Sequence, residues 1–91
     1  MPLIASNRPS WLTHAYYRAS IVPMLREECG YISDAECHRH IKAGFYEMDP
    51  RDPKLPSMAN MSQDEAGRLI EYAWMEAGRL GIRLEEPRRR A

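Results

Sequence analysis

The chain has 91 residues, enough for one small domain, and its 44% hydrophobic and 29% charged residues are typical of a globular protein. Its 13 Lys and Arg balance its 13 Asp and Glu, which excludes a strongly basic nucleic-acid-binding domain but not a local basic patch. No apolar run approaches the ~20 residues of a membrane span. The N-terminus lacks the features of a signal peptide, so we expect a cytoplasmic protein with reduced cysteines.

The first predicted element is a helix over residues 11–28, because apolar residues recur there at three- and four-residue spacing. Pro9 lies just before its start, where a proline costs least, and Gly30 after its end is typical of a C-terminal cap. Pro23 lacks the amide hydrogen that a helix interior needs, so we expect either a kink or a helix split into two pieces. The predicted buried stripe is Leu12, Ala15, Tyr16, Ala19 and Val22.

The second predicted helix runs from about residue 34 to residue 47 and starts at a capping box, "SDAE" at 33–36. In such a box Ser33 accepts a hydrogen bond from the amide three residues on, and Glu36 reaches back to the amide of Ser33. The predicted apolar face of this helix consists of Cys37, His38, Ile41, Phe45 and Met48.

A proline-rich segment follows, with three prolines in the seven positions of "PRDPKLP". This spacing argues against helix between residues 48 and 61 and predicts an extended, partly polyproline connection. A second capping box, "SQDE" at 62–65, opens a third helix that runs to about Leu80 and is stopped by Gly81. The predicted buried stripe of this helix is Ala66, Leu69, Ile70, Ala73, Ala77 and Leu80.

The predicted fold is therefore all-α: a three-helix small domain with a long proline-rich loop between helices 2 and 3. We expect a single helical domain over residues 11–84, a flexible N-terminal arm at 1–10 and a charged C-terminal tail at 85–91. A domain of this size buries only a modest core, and dimerisation is a common way to extend it.

The stretch "DAECHRHIK" at 34–42 concentrates side chains that can bind metals or act as nucleophiles, with Cys29 just upstream. His38 lies about 100° round the helix from Cys37 and about 200° from His40, so its side chain cannot reach one metal ion together with both of them. This spacing fits no standard zinc site, and no Gly-rich elbow or oxyanion loop of a nucleophilic catalyst is present. We therefore predict no metal, no cofactor and no enzyme activity, with His38 in the core face and His40 toward solvent.

Aromatic and basic side chains are mixed in "THAYYR" at 13–18, and such groups can stack on bases and contact phosphates. The alternative is ordinary helix packing, with Tyr16 inward and Tyr17 and Arg18 on the outer face. If helices 1 and 2 lie side by side, a patch can form from Arg18, Arg26, Arg39 and Lys42, extended by Lys54 and by Arg88, Arg89 and Arg90. The alternative for this patch is an ordinary solvated surface, which the overall charge balance favours.

The order of these features resembles the C-terminal helical part of the phage recombination proteins called NinB, or Orf, over roughly residues 11–84. The similar motifs are the turn and helix start "GYISDAE", the lead-in "SMANMSQDEA" and the Gly81–Ile82 pair after the last helix. The start with His14, Tyr16 and Tyr17 also resembles small phage proteins of similar length.

This resemblance implies a phage protein, in the host cytoplasm, that forms a homodimer, binds single-stranded DNA and helps a recombinase to load in the presence of single-strand-binding protein. We expect Tyr17 to stack on bases, and the phosphate contacts to come from Arg18, Arg39, Lys42, Arg88, Arg89 and Arg90. The alternative function is a protein-interaction module, such as a phage inhibitor of a host nuclease or defence complex. The zero net charge and the proline-rich loop favour that alternative.

Overall fold

The computed structural model describes residues 9–84, so most of the predicted arm and all of the predicted tail lie outside the described residues. Every regular element within 9–84 is helical, which confirms the all-α prediction. The first helix is continuous and consists of α1 (His14–Tyr16), a π-helical turn (Tyr17–Ile21) and α2 (Val22–Cys29). The other elements are α3 (Asp34–Tyr46), a 3₁₀ turn (Met58–Asn60) and α4 (Gln63–Arg79).

The π-helical turn of the first helix lies immediately before Pro23. In this turn the amide of Val22 donates to the carbonyl of Tyr17, five residues back instead of four. A wider turn gives room for the proline ring, which in a regular α-helix clashes with the carbonyl four residues earlier. Pro23 therefore does not split the helix, and helical backbone continues to Cys29.

The buried side of the first helix continues through this turn. Residues five apart share a face across a π-helical turn, and both Tyr17 and Val22 are buried. The predicted stripe is wrong at Ala15 and Ala19, which are exposed, whereas Tyr16 is half-buried and packs against the core. The face with the larger apolar side chains is buried because it removes more apolar area from water. It consists of Leu12, Tyr17, Ile21, Val22 and Leu25.

Serine caps begin α3 and α4, and glycine caps end the first helix and α4. The hydroxyls of Ser33 and Ser62 each accept a hydrogen bond of 3.0 Å from the amide three residues on, as predicted. Gly30 and Gly81 adopt the left-handed conformation, with φ of 79° and 83°. That conformation is open to glycine without a Cβ clash, so both predicted glycine caps are confirmed.

Helix α4 packs against the rest of the domain along the stripe that its sequence predicts. The buried residues of this stripe are Ala66, Leu69, Ile70, Ala73 and Ala77. Leu80 is the exception at 47% exposed, because the chain turns there and Ile82, not Leu80, packs back on the core. Helices α3 and α4 approach closely at Gly44, where a Cβ atom would overlap the Tyr72 hydroxyl.

The connection between α3 and α4 is a pair of consecutive turns, not the predicted extended segment. The side chains of Asp49 and Asp52 accept hydrogen bonds from the amides of Arg51 and Lys54, at 2.8 and 2.9 Å. The carbonyl of each aspartate also accepts from the amide three residues on, at 3.0 Å. The short repeat "DPRDPK" explains this geometry, since Asp followed by Pro is typical of the first two positions of a β-turn. The 3₁₀ turn at Met58–Asn60 further corrects the prediction of a helix-free segment.

Helix α3 ends in a left-handed residue that is not glycine, which leads to a prediction about stability. Glu47 has φ 56° and ψ 49°, and a side chain in this conformation costs about 1–2 kcal/mol. We expect Glu47→Gly to raise the free energy of unfolding by about 0.5–1 kcal/mol, because the relieved strain exceeds the added entropy of the unfolded chain. Urea denaturation followed by circular dichroism measures the change.

Gly30→Ala is the matched control, since it places a side chain on a residue with the same left-handed backbone. It should lower the free energy of unfolding by about 1 kcal/mol. If Glu47→Gly has no effect or is destabilising while Gly30→Ala behaves as expected, then strain at Glu47 is not the controlling factor.

Candidate nucleic-acid interface

Three of the predicted phosphate contacts, Arg18, Arg39 and Lys42, lie close together across the first helix and α3, and we call them the basic cluster. Burial, and after it the charges of Arg39 and Arg18, lower the pKa of the Lys42 ammonium. Charges repel strongly enough to shift a pKa only over short distances in salt solution. The first helix and α3 lie side by side, since the Tyr17 hydroxyl is 2.7 Å from Nδ1 of His38, and the charges of Arg18 and Arg39 both act on Lys42.

Two members of the basic cluster also hold the loop between α3 and α4. Arg39 Nη1 donates to the carbonyl of Pro50 at 3.2 Å, and Lys42 Nζ donates to the carbonyl of Pro56 at 2.8 Å. Pro50 lies in the first of the consecutive turns and Pro56 follows the second, so the contacts fix that segment against α3. Arg18 is exposed and has no hydrogen bond or ion pair within residues 9–84. Of the three cations, Arg18 is therefore the one whose charged group is not used in a contact within the described residues.

Tyr17 cannot stack on a nucleic-acid base, so this part of the predicted site is wrong. Its side chain is 0% exposed, and its hydroxyl lies 2.7 Å from Nδ1 of His38. The physical reason is that Tyr17 lies on the same face of the first helix as Ile21 and Leu25, and that face packs into the core. The predicted contacts of Arg88, Arg89 and Arg90 lie outside the described residues.

His38 is the partner of Tyr17 and remains uncharged at neutral pH. Burial, together with the charges of Lys42 and Arg18, lowers the pKa of His38 from 6.5 to about 4. Burial raises the pKa of the Tyr17 phenol, so the phenol keeps its proton and can donate it to Nδ1. The proton of the neutral imidazole then lies on Nε2. The sequence suggests the burial of His38 but not this pairing, because the two residues are 21 positions apart.

Cys29 and Cys37 are both free thiols. Cys37 is buried, and burial raises its pKa to about 11, so it is a weak nucleophile at neutral pH. Its Sγ lies 3.5 Å from the carbonyl of Val22, a contact typical of a packed core cysteine. Within the described part of the chain, no group of three or more His, Cys, Asp and Glu side chains could hold a metal ion.

His40 does not point freely to solvent as predicted. Its ring stacks on Tyr31, with centroids 4.6 Å apart, and Nε2 lies 3.0 Å from the Glu36 carboxylate. Glu36 thus contacts His40 instead of the amide of Ser33, and only the serine half of the predicted capping box is present. This arrangement orders the start of α3 against the turn that precedes it.

Comparison of the chain with known protein families, with characterised proteins and with solved structures finds no match. The resemblance to NinB therefore remains a prediction that rests on the sequence motifs. Across residues 9–84, no helix combines the length and the apolar character that crossing a bilayer requires.

The lowered pKa of His38 makes stability depend on pH. The unfolded chain binds a proton at His38 below about pH 6.5, whereas the folded protein binds it only below about pH 4. Between these two pH values the unfolded chain holds more protons than the folded protein. The contribution of neutral His38 to the free energy of unfolding is therefore complete above pH 6.5 and is lost as the pH falls toward 4. We expect a loss of about 1–2 kcal/mol, less than the full shift implies because the ring is only half-buried.

Urea midpoints across this pH range should be compared between the wild-type protein and His38→Gln, which cannot titrate. Carboxylates titrate in both proteins, so the difference between the two pH profiles gives the contribution of His38 to the pH dependence of stability. Identical profiles would show that His38 does not carry the effect.

Proposed function

We propose that this chain is a small phage protein that binds single-stranded DNA as an accessory factor in recombination. The observation that carries the proposal is the basic cluster: the first helix and α3 meet at the contact of Tyr17 with His38, the charges of Arg18 and Arg39 both act on Lys42, and Arg18 has no hydrogen bond or ion pair within residues 9–84. A phosphate placed among these cations relieves their repulsion, which favours an anionic partner. The NinB-like motifs support recombination as the process.

The turns of the loop carry two cations and two carboxylates, so they add no net charge to the surface. Arg51 and Lys54 are both exposed and occupy the third position of the two consecutive turns. Arg39 and Lys42 hold these turns against α3 through backbone carbonyls. With Tyr17 buried, binding rests on phosphate contacts, and we expect it to be independent of base sequence and sensitive to salt.

Homodimerisation is part of the proposal, as is contact with a recombinase or single-strand-binding protein. Ile32 is 88% exposed in the turn between α2 and α3, and Met75 is 63% exposed on α4. Burying either side chain in a protein contact would remove apolar area from water. A dimer carries two basic clusters, and two linked contacts on one strand raise the overall affinity.

A second candidate function, a protein-interaction module, is favoured by the same exposed Ile32. Under this proposal the protein forms a complex through apolar contacts and has no affinity for DNA. Light scattering after gel filtration distinguishes a monomer of 10.6 kDa from a dimer, and Ile32→Ser should weaken self-association if Ile32 lies in the interface. A protein that forms complexes but does not bind oligonucleotides would favour this second function.

The proposed DNA binding is tested by fluorescence anisotropy with a labelled single-stranded oligonucleotide at low salt. We expect micromolar affinity, and the logarithm of the binding constant should fall with the logarithm of salt concentration with a slope of about −2, as for three phosphate contacts. Arg18→Gln should reduce the magnitude of that slope by about 0.7 without affecting stability, because this side chain has no structural contact.

Arg68→Gln is the matched control, since Arg68 is exposed on α4 and is paired with Asp64 at 2.9 Å. Removing Arg68 subtracts the same charge away from the basic cluster and should leave the slope unchanged. Equal losses in the two variants would mean that net charge, and not the basic cluster, determines binding. The absence of binding at micromolar protein and low salt would refute the proposed function.

A further inference from the structure

A cleft of about 230 Å³ opens between the first helix and the start of α3, next to the basic cluster. Val22 and Ala35 form apolar parts of its wall. Its polar lining residues are Tyr17, Arg18, Asp34 and His38. The cleft therefore combines apolar wall residues with a cation, an imidazole and a carboxylate.

The imidazole of His38 is held in one orientation, with one nitrogen free. Tyr17 binds Nδ1 at 2.7 Å from the core side. Nε2 has no hydrogen-bond partner in the described part of the chain, and it is not among the side-chain atoms buried without a partner. Nε2 is thus open to solvent, and the ring lines the cleft. A neutral ring with its proton on Nε2 can donate a hydrogen bond to an anion there.

The charges that face the cleft favour an anion. Arg18 lines the cleft and has no partner within residues 9–84, and Lys42 is close enough to act on His38. The one acid in the lining is Asp34, whose Oδ1 lies 3.2 Å from Nε of Arg26. This ion pair offsets the negative charge of Asp34, so the uncompensated charge of the cleft is positive.

We propose that this cleft binds a terminal phosphate group, the phosphomonoester at the end of a DNA strand, between the Arg18 guanidinium and Nε2 of His38. The inference rests on the proposed function, since it names the part of the DNA that the site recognises. Arginine binds phosphate through two parallel hydrogen bonds, and His38 supplies a third donor from another element.

A terminal phosphate fits this cleft better than an internal phosphodiester for two reasons. It carries a charge of about −1.5 to −2 at neutral pH, against one for a phosphodiester, and so gains more from the neighbouring cations. It is also connected to the strand on one side only, so it can enter the cleft between the two helices with its free oxygens toward Arg18 and His38. The remaining phosphates of the strand can then follow the surface toward Arg39 and Lys42.

A phosphate bound at this position should also change the pKa of His38. The ring is surrounded by Tyr17 and Arg18 of the first helix, by Lys42 of α3 and by Asp34 at the start of α3. A bound dianion favours the protonated imidazole and opposes the effect of Arg18 and Lys42. Phosphate binding should therefore raise the pKa of His38 from about 4.

The test compares three labelled oligonucleotides of one sequence, with a 5′-phosphate, a 3′-phosphate or hydroxyl groups at both ends. We expect one or both phosphorylated strands to bind about tenfold more tightly than the unphosphorylated strand. Arg18→Gln should abolish this preference. Arg39→Gln should weaken binding of all three strands by the same factor, because Arg39 is not in the lining of the cleft.

A second measurement separates this inference from the proposed function. The imidazole signals of His38 are followed by NMR while inorganic phosphate is added to the wild-type protein, and we expect the pKa of His38 to rise. Arg18→Gln should remove that response.

If His38 responds but no oligonucleotide binds, the phosphate site stands and the proposed DNA binding fails. If oligonucleotides bind without preference for a terminal phosphate, and His38 does not respond to inorganic phosphate, the site is overturned while DNA binding stands.

Discussion

The rest of the structure depends on the missing amide hydrogen of Pro23. A regular α-helix has no room for the proline ring, and the first helix accommodates it with a π-helical turn at Tyr17–Ile21. Tyr17 is the first residue of this turn and lies on the buried face, where its hydroxyl meets His38 of α3. The resulting hydrogen bond satisfies a buried phenol and fixes the imidazole at the edge of a cleft. A helix that stays continuous through Pro23 thus positions both the contact between two helices and the candidate site.

The basic cluster serves the fold and the proposed function together. Arg39 and Lys42 hold a loop of consecutive turns through the carbonyls of Pro50 and Pro56, which are uncharged partners. Their positive charge is therefore not neutralised by the contacts that position them. These two charges therefore stay uncompensated by those contacts even though the chain as a whole has zero net charge.

Much of the fold could be predicted from local sequence patterns. The caps at Ser33, Ser62, Gly30 and Gly81 depend on one or two neighbouring residues, so a single sequence is sufficient to identify them. The buried stripe of α4 was also predictable, because a regular helix without proline keeps its periodicity along its whole length. The loop was misinterpreted because the prolines were taken to extend the chain, whereas Asp before each proline starts a turn.

The sequence by itself determined the helical class, the ends of the helices and the set of cations available to a phosphate. Only the tertiary structure decided that Tyr17 is buried, that His38 is its partner and that Arg18 lies beside them at an open cleft. The physical reason is that a π-helical turn rotates every side chain on one side of it relative to those on the other. Which face is then buried depends on the packing of helices distant in sequence, and the periodicity of one helix contains no information about that packing.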